Sequence, residues 1–185
     1  CYLKPLQLSV CQIQGIDPVS PVQGREMLVS GVVVGKVMDQ EPGGIFIVDP
    51  SCPDNQRGSP GLFVNLEDDS LEIAAGDEIS MRGQVAERNG ETQFIPEQGS
   101  IEVRSTANPL PDPLDLARVY RLDPFRFNYE EYEGLLVRLS GAYILVPDSD
   151  AGSWLTVPDF DVPIPPGTQV DLAHRFYLWV TGLSG

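Results

Sequence analysis

The chain has 185 residues, of which 12 are Lys or Arg, 27 are Asp or Glu and one is His, for a formal net charge of −15. That balance repels polyanions at long range and excludes a dedicated nucleic-acid binder with a basic face all round. At 42% hydrophobic the chain can build a core, while 18 Gly and 17 Pro point to short strands joined by many turns.

In chain order, residues 1–8 look like a tether. Leu8 to Gly15 is a short element ended by glycine, and Asp17 to Pro21 is a turn. The stretch Gly24 to Gly35 then organises the rest. It is β-branched, bounded by glycines and apolar on both alternating sets: Met27, Val29 and Val33 on one, Leu28, Val32 and Val34 on the other. A strand apolar on both faces is buried on both, or curls so that each half serves a different sheet. Gly31 favours the curl, because a mid-strand glycine often marks a barrel corner.

Gly43-Gly44 feeds a second strand, Ile45 to Asp49, hairpinned to the first. A Pro/Ser/Asp/Asn loop separates it from a third, Gly61 to Leu66. Glu67-Asp68-Asp69 reads as a solvated loop. Gly76-Asp77 turns into a fourth strand, Glu78 to Glu87, and Asn89-Gly90 is a tight hairpin signal before Glu91 to Ile95. Five strands in this span predict an all-β, OB-fold five-stranded barrel.

Pro109, Pro111 and Pro113 stiffen a connector, and Asp115 to Leu122 is expected to be a short helix capped by Asp112 or Asp115. Gly134 to Gly141 repeats the pattern of Gly24 to Gly31, and Arg175 to Gly182 resembles the strand before Gly83. Too few residues follow Gly134 for a whole copy, so the expectation is a second, partial OB-like unit. The predicted division is a tether at 1–8, an OB domain at 9–105, a Pro-rich linker with a short helix at 106–130 and the partial unit at 131–185.

Of the three cysteines, Cys11 and Cys52 are the candidate disulfide, closing a loop of about 40 residues for about 3–4 kcal/mol in the chain-entropy model; two buried thiols are the alternative. Cys1 is then left over. It is a candidate lipidation site that would attach the chain to a membrane, or else a boundary of the expressed piece. With no initiator Met and no signal peptide, a processed chain or a fragment is expected. The expected location is outside the cytoplasm: periplasmic, envelope-anchored or extracellular.

No pattern in the sequence calls for catalysis. The single histidine, His174, excludes any mechanism needing two, and there is no Cys-x-x-Cys, phosphate-cradling loop or nucleophile elbow. No cofactor is expected. Asp148 and Asp150, with Ser149 and Ser153, are the one weak candidate for Ca²⁺, an acidic turn being the plainer account. If single-stranded nucleic acid binds, the second and third strands should carry it, with Phe46 and Phe63 stacking on bases and Lys36, Arg57, Arg82 and Arg88 meeting phosphates. The alternatives are barrel core for the phenylalanines and solvated charge for the cations. Trp154, Tyr177 and Trp179 read as core of the second unit.

Several motifs, in order, resemble the OB-like region that precedes the endonuclease/exonuclease/phosphatase catalytic domain in secreted bacterial nucleases. Gly44 to Pro50 is similar to "GFFLQDP", Gly61 to Val64 to "GIFV", Gly76 to Gly83 to "GDxVxVxG", and Tyr132 to Leu139 to "YEGMLVRL". The resemblance spans residues 15–140. It implies an exported, non-catalytic module that binds nucleic acid or positions a nuclease domain. The chain departs from the pattern in lacking the catalytic domain and in carrying Cys52 and Arg57 where the family has an acidic loop. The net charge and Cys1 suggest an alternative, an envelope lipoprotein whose barrel binds a protein or an oligosaccharide. An enzyme with an unrecognised carboxylate site is a third, and the oligomeric state stays open.

Overall fold

A computed structural model describes residues 6–38, 42–53, 57–66, 71–88, 90–122 and 128–138. Contacts divide the chain into two units, residues 1–112 with 128–136, and residues 113–127 with 137–185.

The first unit is an all-β, OB-like barrel. Its strands are β1 (Leu6–Gln7), β2 (Glu26–Val37), β3 (Gly44–Val48), β4 (Gly61–Asn65), β5 (Glu78–Arg88), β6 (Glu91–Pro96) and β7 (Glu102–Ser105). The sheet runs β1-β2-β3-β4-β6-β5-β7, and a further β2–β5 pairing closes β2, β3, β4, β6 and β5 into a cylinder. Closure depends on β2 serving two partners. Glu26 to Val32 pair antiparallel with β5, and Val32 to Val37 with β3. The handover falls at Val32, paired with both, beside Gly31, where a Cβ would press on the Val48 carbonyl and the Ile47 side chain. The curl expected at this glycine is therefore present, and a register shift between Val33 and Gly35 adds to it.

The other side of the cylinder closes through a parallel ladder between β4 and β6, with Phe63 opposite Gln93 and Val64 opposite Phe94. The β5–β6 hairpin turns at Gly90, which takes φ +78°, a conformation that asks for glycine.

Met27, Val29, Val33, Ile45, Ile47, Leu62, Val64, Ile79, Met81, Val85 and Phe94 fill the interior. Helix α1 (Val10–Gln14) adds Val10 and Ile13 to the same core. Ser9 starts the helix, its N–H donating to Gln12 Oε1 at 3.1 Å, and Gly15 ends it at φ +70°. Asp49 receives the Val10 N–H at 2.9 Å, and its other oxygen holds Ser51. Beside this contact Cys11 and Cys52 form a disulfide.

Two strands were not evident from the sequence. β1 pairs parallel with β2, and β7 pairs antiparallel with β5. Each is short, and the Glu102-Val103-Arg104-Ser105 run of β7 is largely exposed, so neither carries a burial pattern.

In the second unit, α2 spans Leu116–Leu122, and Asp115 Oδ1 accepts the Arg118 N–H at 3.2 Å, as a capping residue does. Strands β8 (Leu114–Asp115) and β9 (Val137–Arg138) pair parallel as a partial second sheet. The segment 131–136, placed with the second unit on sequence, packs instead with the barrel. Cys1, Asp148, Asp150, Trp154, His174, Tyr177 and Trp179 lie outside the described residues.

Candidate functional site: the outer face of β3 and β4

Alternation along β4 sends Leu62 and Val64 inward and Gly61, Phe63 and Asn65 outward. In β3, Ile45 and Ile47 point inward, and Phe46 stands opposite Phe63 in the register. The two rings meet with centroids 5.0 Å apart, tilted by 53°. This outer face is nevertheless buried: Phe63 is 1% exposed and Phe46 8%. The Phe63 ring lies over Gly44, where a Cβ would collide with it. The pair thus sits on the strands expected to present it, but as packed side chains and not as an open stacking platform.

A segment from much later in the chain crosses one end of this face. Residues 128–136 form a strap opened by a 3-10 turn, Tyr129–Tyr132. Asn128 caps that turn through its Oδ1 to the Glu130 N–H, and its side-chain amide donates to the Ile16 carbonyl at 3.1 Å. Gly134 takes φ +67°, and its backbone lies directly against Gly61 and Leu62; a Cβ on either glycine would strike the other's backbone. The two glycines let main chain meet main chain.

Glu133 is the centre of the strap. Its carbonyl accepts from Ser59 Oγ, next to the start of β4, and its Oε1 accepts the Thr92 N–H of β6 at 2.8 Å. One residue therefore bridges the β4 side and the β6 side of the parallel seam. Neighbouring Glu131 pairs with Arg57 at 2.8 Å.

The electrostatics around Glu133 are lopsided. Burial pushes its carboxyl up from 4.5 to about 8; the Thr92 N–H opposes this, and the charges of Glu91, Glu130 and Glu87 add to it. Burial also raises Glu91, whose bond from Gln93 pulls the other way while Glu87 raises it further. Glu130 is raised by burial and by Glu87. Glu87 Oε1 accepts from the Ser20 N–H and from Thr92 Oγ1, while its Oε2 is buried with no partner among the described residues. Among the described residues no group of acids, cysteines or histidines is arranged to hold a metal ion.

The four candidate cations occupy four places around the barrel. Lys36 lies near the end of β2, its Nζ donating to the Leu71 carbonyl at 3.2 Å. Arg57 precedes β4 and pairs with the strap. Arg82 is exposed in the middle of β5, opposite Leu28 of β2. Arg88 is exposed at the end of β5, opposite Glu91. Arg82 and Arg88 are on β5, which borders neither β3 nor β4. On sequence the strap entered through the motif Tyr132 to Leu139, and its glutamates were given no role. The available signal was the matched pair Gly61 and Gly134, each opening a Gly-Leu dipeptide.

No family model matches the chain, and no curated protein matches it. Among solved structures it is similar to an engineered protein, "OBody AM1L10 bound to hen egg-white lysozyme", at 16% identity and a TM-score of 0.38, over 58% of this chain and 98% of that one. A likeness at that score carries no argument about function.

Proposed function

We propose that the protein is a non-catalytic OB-type module that positions a partner protein, a nuclease catalytic domain being the partner that its resemblance implies. The observation that carries this reading is the closed outer face of β3 and β4. Phe63 is buried, and the bordering strap brings three acids, Glu130, Glu131 and Glu133, beside Glu91 of β6, toward the place where a polynucleotide would have to lie. Single-strand binding of the OB kind needs bare aromatic rings and a positive groove, and among the described residues this face offers neither.

The test is fluorescence anisotropy of the full chain with labelled single-stranded oligonucleotides at low salt, beside co-elution with a separately produced catalytic domain of the endonuclease/exonuclease/phosphatase type. The expected result is no saturable oligonucleotide binding up to tens of micromolar, together with a stable complex with the domain. Saturable, salt-sensitive oligonucleotide binding would instead support the polynucleotide reading, with Arg82 and Arg88 on β5 as the first cations to substitute.

A further inference from the structure

The strap is fastened in an acidic setting. From β5, Glu87 faces it, with Arg88 next along the strand and opposite Glu91. From β6 comes Glu91, whose carboxylate takes a bond from Gln93 at 2.7 Å. On the strap itself are Glu130, Glu131 and Tyr132, and Arg57 in the loop before β4 is engaged by Glu131 at 2.8 Å. Apart from Arg57, whose partner is Glu131, no base ion-pairs with the strap among the described residues.

We propose that Glu133 is a proton-controlled clasp: protonated, it holds the strap down across the β4–β6 seam, and ionised, it joins Glu87, Glu91 and Glu130 in a mutual repulsion that frees the strap. The geometry supplies both states. The Glu133 side chain reaches one donor, the Thr92 N–H at 2.8 Å, which satisfies one oxygen whether the other carries a proton or not. What changes on ionisation is the charge placed among three other acids, one of which, Glu87, already has a buried oxygen without a partner among the described residues. The backbone contact of Gly134 on Gly61 and the Ser59 bond do not titrate, so they set the resting position that the carboxyl then favours or opposes.

The sign follows from linkage. A carboxyl whose folded pKa is about 8, against 4.5 ordinarily, stabilises the closed strap fully below 4.5. That contribution is lost as pH rises from 4.5 to about 8. The clasp is thus tight in mild acid and loose in mild alkali. This inference concerns the strap alone and stands whether or not the module reading does.

The experiment is amide NMR on the whole chain from about pH 5.5 to about pH 9, with exchange corrected for intrinsic rates. The Thr92 amide should titrate with a midpoint near 8, and the Glu131 and Leu135 amides, bonded within the strap, should lose about tenfold or more of their protection as pH rises from about 5.5 to about 8 and level off above that. Glu133→Gln keeps a carbonyl for the Thr92 N–H and removes the charge; it should abolish the titration and hold the protection constant. Glu87→Gln, a second variant, should move the midpoint downward. A Thr92 amide that does not titrate above about pH 6, or protection that is flat with pH in the wild-type chain, would overturn the proposal. So would a Glu133→Gln chain that opens with the wild-type pH profile.

Discussion

Strands β5 and β4 belong to one cylinder, yet they are buried differently. Along β5, Met81, Gly83 and Val85 are buried while Arg82 and Gln84 are exposed, the alternation of a strand with one wet face. Along β4, and along β3 beside it, every residue is buried. The contrast shows where the barrel wall has a second layer. On β5 solvent is the outer neighbour. On β4 the outer neighbours include the chain itself, returning about 70 residues later as the strap. A wall packed in this way keeps its two aromatic rings out of solvent, and the proposed function rests on that observation.

The contrast can be tested by substitution. The largest effect is expected from Phe63→Ala, which empties a site buried on the outer face and should cost about 3–5 kcal/mol in denaturant unfolding. Arg82→Ala on the wet face of β5 should change stability by no more than about 0.5 kcal/mol. Comparable costs for the two would erase the distinction. Next is reduction of the Cys11–Cys52 bridge, which spans 41 residues; the chain-entropy model expects a loss of about 4 kcal/mol, read as a fall in the midpoint of thermal unfolding with reductant.

Ser59→Ala removes the hydroxyl that donates to the Glu133 carbonyl and accepts from the Gly61 N–H. It should cost about 1–3 kcal/mol and lower exchange protection in the strap more than in β5. The smallest effect belongs to Arg57→Ala. Its side chain is 68% exposed, so loss of the pair with Glu131 should cost less than about 1 kcal/mol and less still at high salt. A larger loss would mean that the strap hangs on this ion pair and not on Glu133.

Much of the barrel was legible because its signals are local. Gly31 amid valines announces the bend in β2, Asn89-Gly90 announces the hairpin, and Asp115 announces the start of α2. The all-β, OB-like fold follows from those pieces. The burial of β3 and β4 was half legible. Ile45-Phe46-Ile47-Val48 is apolar at every position, which says that both faces are covered but not by what. At Gly61 and Leu62 the cover is the strap, and periodicity within a strand carries no information about a segment about 70 residues away. Glu133 was noticed only as part of a motif, since a glutamate between Tyr132 and Gly134 looks like surface until the fold sets it against Thr92. The spread of the four cations around the barrel was not legible for a related reason. A closed barrel distributes residues of neighbouring strands around its circumference, so nearness in a list of strands is not nearness in space.

The strap also has a bearing on where this protein can be cut. A fragment ending at Asp112 would retain all the barrel's strands and its disulfide, so by inspection it is a whole domain. It would nonetheless leave the two-rung join of β4 to β6 without the residue that spans it from outside. The self-sufficient unit is discontinuous in sequence, and the peptide between its two pieces, residues 113–127, is an insertion that the barrel must wait for before it can be finished.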